Sequence, residues 1–100
     1  MSAPPFRLLY VPTARRGLDA LAQKDSGKYK KVLRTLARLR DQGPSYPGLN
    51  SHKYSSLTGP RGEEVWESYV ENHTPSAWRI WWVYGPEADE LTIVSVGPHP

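Results

Sequence analysis

A chain of 100 residues, 38% of them hydrophobic, is long enough for one domain with a small core, residues 1–100. It has no cysteine and no apolar run of membrane-spanning length, which excludes disulfides and thiolate metal sites and predicts a cytoplasmic protein without a membrane partner. The net charge of +3 is unevenly divided: residues 1–53 carry eleven Lys and Arg against three Asp, and residues 54–100 carry two Arg against seven acids.

The first half of the chain predicts one strand and two helices. The strand is expected over residues 6–10 and ends before Pro12. Thr13 is predicted to cap a helix over residues 14–24, and a second helix is predicted over residues 28–41, ending at Gly43. Their short connection favours an antiparallel helical hairpin. The apolar stripe of the second helix consists of Tyr29, Val32, Leu33, Leu36 and Leu39.

The second half of the chain predicts strands. Residues 42–62 are rich in Gly, Pro and Ser and indicate a long functional loop, with a short strand allowed over residues 52–57. Further strands are predicted over residues 64–71, 77–84 and 90–96. The element order β-α-α-β-β-β predicts an α+β fold in which an antiparallel sheet packs against the helical hairpin.

The excess of basic residues is concentrated on the second predicted helix. It favours a basic face that binds a polyanion, although a solvated helical surface has the same composition. Both interpretations remain open at this point. The residues concerned are Lys28, Lys30, Lys31, Arg34 and Arg38.

One arginine lies within the aromatic run AWRIWWVY. Strand alternation places Arg79 on the face opposite Trp78 and Trp82. If those two pack under the helices, Arg79 and Trp81 stand on the open face, where they suit phosphate contact and base stacking. The alternative is that the aromatic residues fill the small core and that Arg79 forms a surface salt bridge with Glu67.

The three histidines, His52, His73 and His99, are not at the spacing of metal ligands. No nucleophile elbow, P-loop or dinucleotide-binding glycine loop is present, so we expect neither a metal nor a cofactor. Acid–base chemistry remains, provided that the fold brings its groups together. The candidate residues are His52, His99, Lys53 and Glu67, beside Arg79.

The last predicted strand leads directly to His99. Alternation places Val94 and Val96 on one face, and the stiff exit at Gly97-Pro98 limits where the next residue can go. We therefore expect His99 at the rim of the open sheet near Arg79, and not in a frayed tail.

Three short motifs resemble those of the RelE/ParE toxin superfamily. They are Leu57-Thr58-Gly59, Trp78-Arg79-Ile80-Trp81-Trp82 and Val94-Ser95-Val96-Gly97-Pro98-His99. The element order is similar over almost the whole chain, and the ending most resembles that of YoeB-like toxins, which finish in His-Tyr. The resemblance implies a bacterial type II toxin, a ribosome-dependent endoribonuclease that cuts mRNA and is neutralised by a small antitoxin.

The resemblance also implies roles in a reaction in which a ribose 2′-OH attacks the adjacent phosphate. Arg79 matches the family's phosphate-binding arginine, and His99 matches its C-terminal histidine. The base is expected from His52, Lys53 or Glu67. RNA contacts are expected from Lys28, Lys30, Lys31, Arg34 and Arg38 and from Trp81.

The chain departs from the family pattern in two places. Residues 42–62 contain no acid where YoeB-like toxins place a glutamate, and Glu67 is the nearest substitute. Pro100 stands in place of the terminal tyrosine and can neither stack nor donate a hydrogen bond.

Two other functions remain open. One is a ParE-like toxin that binds DNA gyrase without cutting RNA, and the other is a non-catalytic relative that binds a partner peptide. For the leading prediction, the partners are the antitoxin, the ribosome and mRNA. The chain is expected either as a homodimer or within a toxin–antitoxin hetero-oligomer.

Overall fold

The chain forms a five-stranded sheet covered on one face by two helices, and the computed structural model describes residues 3–100. The strands are β1 (Arg7–Tyr10), β2 (His52–Thr58), β3 (Glu64–Tyr69), β4 (Trp78–Tyr84) and β5 (Glu90–Pro98). The helices are α1 (Pro12–Lys24) and α2 (Ser26–Gln42). Neither helix in residues 3–100 is long and apolar enough to cross a membrane.

The sheet has the strand order β1-β5-β4-β3-β2. β1 runs parallel to β5, and the other neighbouring pairs are antiparallel. The crossover through α1 and α2 carries the chain from one edge of the sheet to the other. This arrangement confirms the predicted α+β fold with an antiparallel meander against two helices.

The face of the sheet under the helices holds the main core. α2 contributes Val32, Leu36 and Leu39, which recur at helical spacing and are at most 3% exposed. Across from them, Ile80 and Trp82 of β4 have no exposed surface, as the alternation of that strand predicts. Burial of each such side chain contributes about 1.5–3 kcal/mol to the free energy of unfolding.

Two details of the helices differ from the prediction. Thr13 does not cap α1, because the helix already begins at Pro12, with Val11 as the N-cap residue and no side-chain cap. The fixed φ of proline suits the first helical position. In α2, Leu33 is 41% exposed and lies outside the apolar stripe, whereas Thr35 is buried there and its hydroxyl donates to a carbonyl one turn earlier.

The predicted loop over residues 42–62 contains the strand β2, which forms an edge of the sheet and pairs with β3. Gly59 follows this strand and explains the glycine of the Leu-Thr-Gly motif. A Cβ atom at Gly59 would lie 2.6 Å from Glu63 Oε1 and 2.9 Å from Val83 Cγ1. A residue with a side chain therefore cannot follow β2 so closely against β4 without moving its neighbours.

A β-bulge changes the face assignment in β5. The pairing between β4 and β5 shifts register and passes over Val94. As a result, Val94 packs with a cluster on the open face, while Val96 packs with the main core. The predicted common face for these two valines was wrong, because a bulge interrupts simple alternation.

Candidate active site

Strand register brings four chemistry-bearing residues together on the open face of the sheet. His52, at the start of β2, lies directly opposite Glu67 of β3. Arg79 of β4 is paired with Tyr69, which lies two residues beyond Glu67 and therefore on the same face. His99 follows β5, and its backbone N–H donates to the carbonyl of the residue before β4 at 2.8 Å. The sheet therefore holds this histidine in place.

Glu67 lies at the centre of the cluster. Its side chain is 2% exposed, whereas those of His52 and His99 are 46% and 42% exposed. Nε2 of His52 is 2.9 Å from Oε1 of Glu67, and Nε2 of His99 is 3.5 Å from Oε2. A buried carboxylate needs partners that replace its lost hydration. The two imidazoles lie near its oxygens and also reach solvent, but Oε2 has no hydrogen-bond partner within residues 3–100.

Each imidazole turns its second nitrogen towards a backbone oxygen. Nδ1 of His52 is 2.7 Å from the Asn50 oxygen, and Nδ1 of His99 is 2.9 Å from the Pro100 oxygen. Contacts on both ring nitrogens therefore fix the orientation of each imidazole.

Arg79 lies on the predicted face, but it is 8% exposed and not open to solvent. Its Nη1 donates to the carbonyl oxygens of Glu71 and Trp78. Its guanidinium carbon lies 3.7 Å from the centroid of the Tyr69 ring, and its Nε is 3.7 Å from Glu67 Oε1. These contacts fold the side chain back onto β3. Arg79 therefore places positive charge beneath the cluster and does not present a two-pronged donor to solvent.

Trp81 is 4% exposed, so the prediction that it stacks bases on an open face was wrong. Tyr54 of β2 covers it, with the two ring centroids 5.7 Å apart. Three valines, one each from β3, β4 and β5, complete this small cluster. The edge of the Tyr54 ring also faces His99, with ring centroids 6.1 Å apart.

Lys53 is the one candidate base that the sheet directs away from the cluster. Because it follows His52 in β2, its side chain lies on the opposite face. There its Nζ is 3.3 Å from Glu64 Oε2 and 5.8 Å from the centroid of the Trp66 ring. The geometry therefore separates Lys53 from the two histidines.

The basic residues of α2 divide into two groups. Lys28 and Lys31 both pair with Glu71, at 2.6 and 3.2 Å. The hydrogen bond from Lys28, with help from Lys31, lowers the pKa of Glu71 from its ordinary value of 4.5 to about 2, although burial acts in the opposite direction. The second group consists of the other α2 residues predicted to contact RNA. In the part of the chain that the structure describes, these residues are exposed and have no carboxylate partner: Lys30, Arg34 and Arg38.

Solved structures with the same backbone arrangement are known. The YoeB dimer from Staphylococcus aureus aligns with a TM-score of 0.69 at 18% identity, over 96% of this chain and 99% of that chain. The archaeal RelE–RelB complex from Pyrococcus horikoshii OT3 gives 0.65 at 13% identity, over 94% of each chain. The heterotetrameric YoeB–YefM toxin–antitoxin complex from S. aureus gives 0.66 at 20% identity, over 95% and 98%.

The chain has the fold of the YoeB and RelE toxins. No family model matches its sequence, and no curated protein matches it either. The likeness to the YoeB and RelE structures therefore concerns the course of the backbone, and the chemistry has to be argued from the side chains.

Within this YoeB/RelE fold, sequence reasoning overlooked two residues of the candidate site. Tyr54 packs beside His99, and Asn50 holds the His52 ring from a left-handed backbone conformation with φ of 47°. Alternation from His52 to Tyr54 along the short strand that the sequence allowed over residues 52–57 places both side chains on one face, and this signal could have identified Tyr54. Within residues 3–100, no three His, Asp or Glu side chains are placed to hold a metal ion.

Proposed function

We propose that this chain is a toxin that cleaves RNA, with His52 and His99 as the residues that exchange protons with the substrate. The observation that carries the proposal is the pair of half-exposed imidazoles whose Nε2 atoms lie 2.9 and 3.5 Å from the two oxygens of one buried carboxylate. The fold shared with YoeB and RelE toxins supports the assignment as a toxin. The unpaired basic residues of α2 support a polyanionic substrate.

The proposed reaction requires RNA, because its nucleophile is the ribose 2′-OH. His52 in its neutral form takes the hydroxyl proton through Nδ1 as the 2′ oxygen attacks the adjacent phosphorus. His99 in its cationic form gives its Nδ1 proton to the departing 5′ oxygen. The products are a 2′,3′-cyclic phosphate and a 5′-hydroxyl, and the two rings have exchanged protonation states. In each ring the reacting nitrogen is the one turned away from Glu67, and it exchanges its contact with the Asn50 or Pro100 oxygen for the substrate oxygen when RNA binds.

Glu67 and Arg79 act behind the two rings. The carboxylate orients both imidazoles and stabilises whichever one is cationic. Arg79 lies beneath them and contributes positive charge where the phosphorane develops negative charge. Because both side chains are buried, solvent weakens these interactions less than it would at the surface.

The biological setting is part of the proposal. The substrate is mRNA bound to the ribosome in the cytoplasm, and the unpaired residues Lys30, Arg34 and Arg38 approach ribosomal RNA through its phosphates. An antitoxin neutralises the chain, and the support for this partner is that a similar structure is a toxin–antitoxin complex.

Inducible expression in a bacterium, combined with primer extension on translated mRNAs, tests this function. The wild-type chain is expected to arrest growth and to cut within codons. In a purified assay with ribosome-bound mRNA, His52→Ala and His99→Ala should each lower the cleavage rate by about 10²–10⁴-fold. His73→Ala is the matched control, because this histidine is exposed in the turn between β3 and β4, where it contacts Asn72, and it should cleave at the wild-type rate.

The pH dependence of the cleavage rate separates the two roles. A bell-shaped profile is expected, and it should lose its acidic limb in His52→Ala and its alkaline limb in His99→Ala. Growth arrest that persists undiminished in the double variant contradicts the proposal. Arrest with DNA damage and intact mRNA would point instead to a toxin that binds gyrase.

A further inference from the structure

A cavity of about 420 Å³ opens beside the proposed proton-transfer cluster. Tyr54 and Trp81 contribute aromatic surface to its lining, and Pro98 and Pro100, the residues on either side of His99, place it next to that ring. The rest of the lining is small or apolar, and none of the lining side chains is charged. The cavity therefore suits an uncharged, planar group better than a phosphate.

One residue of this lining, Trp81, carries a donor without a partner. Nε1 of Trp81 is buried and has no hydrogen-bond acceptor within residues 3–100. The neighbouring indole, that of Trp82, donates to Ser68 Oγ at 2.8 Å. Buried donors without acceptors are uncommon in folded proteins, so the Trp81 N–H requires an explanation.

Tyr54 provides the third observation. Its half-buried ring lies between Trp81 and His99, with centroid distances of 5.7 and 6.1 Å. A flat apolar surface, an unused donor and the absence of charge match the faces and the edge of a nucleobase. The position beside His99 places such a base within one nucleotide of the bond that the cluster would cleave.

We propose that this cavity holds the base of a nucleotide flanking the scissile phosphate. Tyr54 is the stacking surface, and the Trp81 indole N–H donates to an acceptor on the edge of the base. Because Nε1 is buried and the Tyr54 ring packs against Trp81, the Tyr54 ring shifts as the base enters. The inference rests on the proposed RNA cleavage and adds to it the residues that select the base.

The experiment is a titration of the purified chain with each of the four nucleoside 3′-monophosphates and with inorganic phosphate, followed through ¹⁵N-labelled indole signals. The indole signal that is missing from the spectrum of Trp81→Phe is the signal of Trp81. We expect particular nucleotides to shift the Trp81 signal and to leave that of Trp82 in place, and inorganic phosphate to shift neither.

Variants at Tyr54 test the stacking surface. Tyr54→Leu should weaken nucleotide binding by about tenfold or more, because it removes the stacking between the base and the aromatic ring. Tyr54→Phe keeps the ring and should bind like the wild type. Tyr84→Leu, at the other end of β4, removes a tyrosine that is 36% exposed and serves as the matched control.

Several results would overturn the assignment of the cavity. These are equal shifts from inorganic phosphate and nucleotides, no shift at Trp81 with any nucleotide, or unchanged affinity in Tyr54→Leu. The readouts do not require catalysis. A chain that binds nucleotides through Trp81 but leaves mRNA intact supports the cavity and contradicts the proposed function. A chain that cuts mRNA with the same base preference in Trp81→Phe contradicts the cavity alone.

Discussion

Replacement of Glu67 by glutamine removes the buried charge of the cluster and keeps the shape of the side chain. Nitrogens of His52, His99 and Arg79 lie 2.9, 3.5 and 3.7 Å from its carboxylate oxygens. Loss of one partner from a buried ion pair typically costs about 3–5 kcal/mol, because the remaining charge stays buried and uncompensated.

The environment of the partners reduces this cost. His52 and His99 are both half exposed and can regain hydration, and Arg79 keeps two backbone carbonyl acceptors. We therefore expect Glu67→Gln to lower the free energy of unfolding by about 2–4 kcal/mol. That is a large fraction of the roughly 5–15 kcal/mol that stabilises a domain of this size.

Urea denaturation at pH 7, followed by tryptophan fluorescence, measures the loss. Glu64→Gln is the matched control, because Glu64 lies on the same strand, is 68% exposed and pairs with Lys53 at 3.3 Å. This control should change the free energy of unfolding by less than about 1 kcal/mol. If Glu67→Gln were as stable as this control, the carboxylate would not hold the cluster together, and the role assigned to it would be refuted.

Two further predictions concern stability. The lowered pKa of Glu71 means that the unfolded chain binds its proton first, so the stabilisation from Lys28 is present above about pH 4.5 and is lost as the pH falls towards 2. At pH 7, Glu71→Gln should lower the free energy of unfolding by about 1–2 kcal/mol after allowance for solvent screening. Urea denaturation should show that this difference between the variant and the wild type vanishes near pH 2. A difference that stays constant with pH would contradict the argument. Gly59→Ala should cost about 1–3 kcal/mol, because its Cβ would lie 2.9 Å from Val83 Cγ1. By contrast Gly17→Ala, which has open space within α1, should stabilise slightly in the same assay; equal effects of the two substitutions would contradict the argument.

Elements with a regular period could be located from the pattern of residues alone. Helical spacing of apolar residues located both helices, and alternation in β4 placed Ile80 and Trp82 in the core and Arg79 on the opposite face. Those patterns are local, because they depend on the geometry of one helix or one strand. The same alternation selected Glu67 and Arg79, which the structure brings to within 3.7 Å of each other.

Which of these residues are open to solvent depends on how the strands pair and pack. β2 lies in a stretch whose composition indicates a loop, and only its pairing with β3 places His52 beside Glu67 and Tyr54 over Trp81. The bulge at Val94 likewise arises from the match between two strands and leaves no periodic signal in either one. Burial of Arg79 and Trp81, and the convergence of both histidines on one carboxylate, depend on contacts between segments distant in the chain, which a pattern within one segment cannot specify.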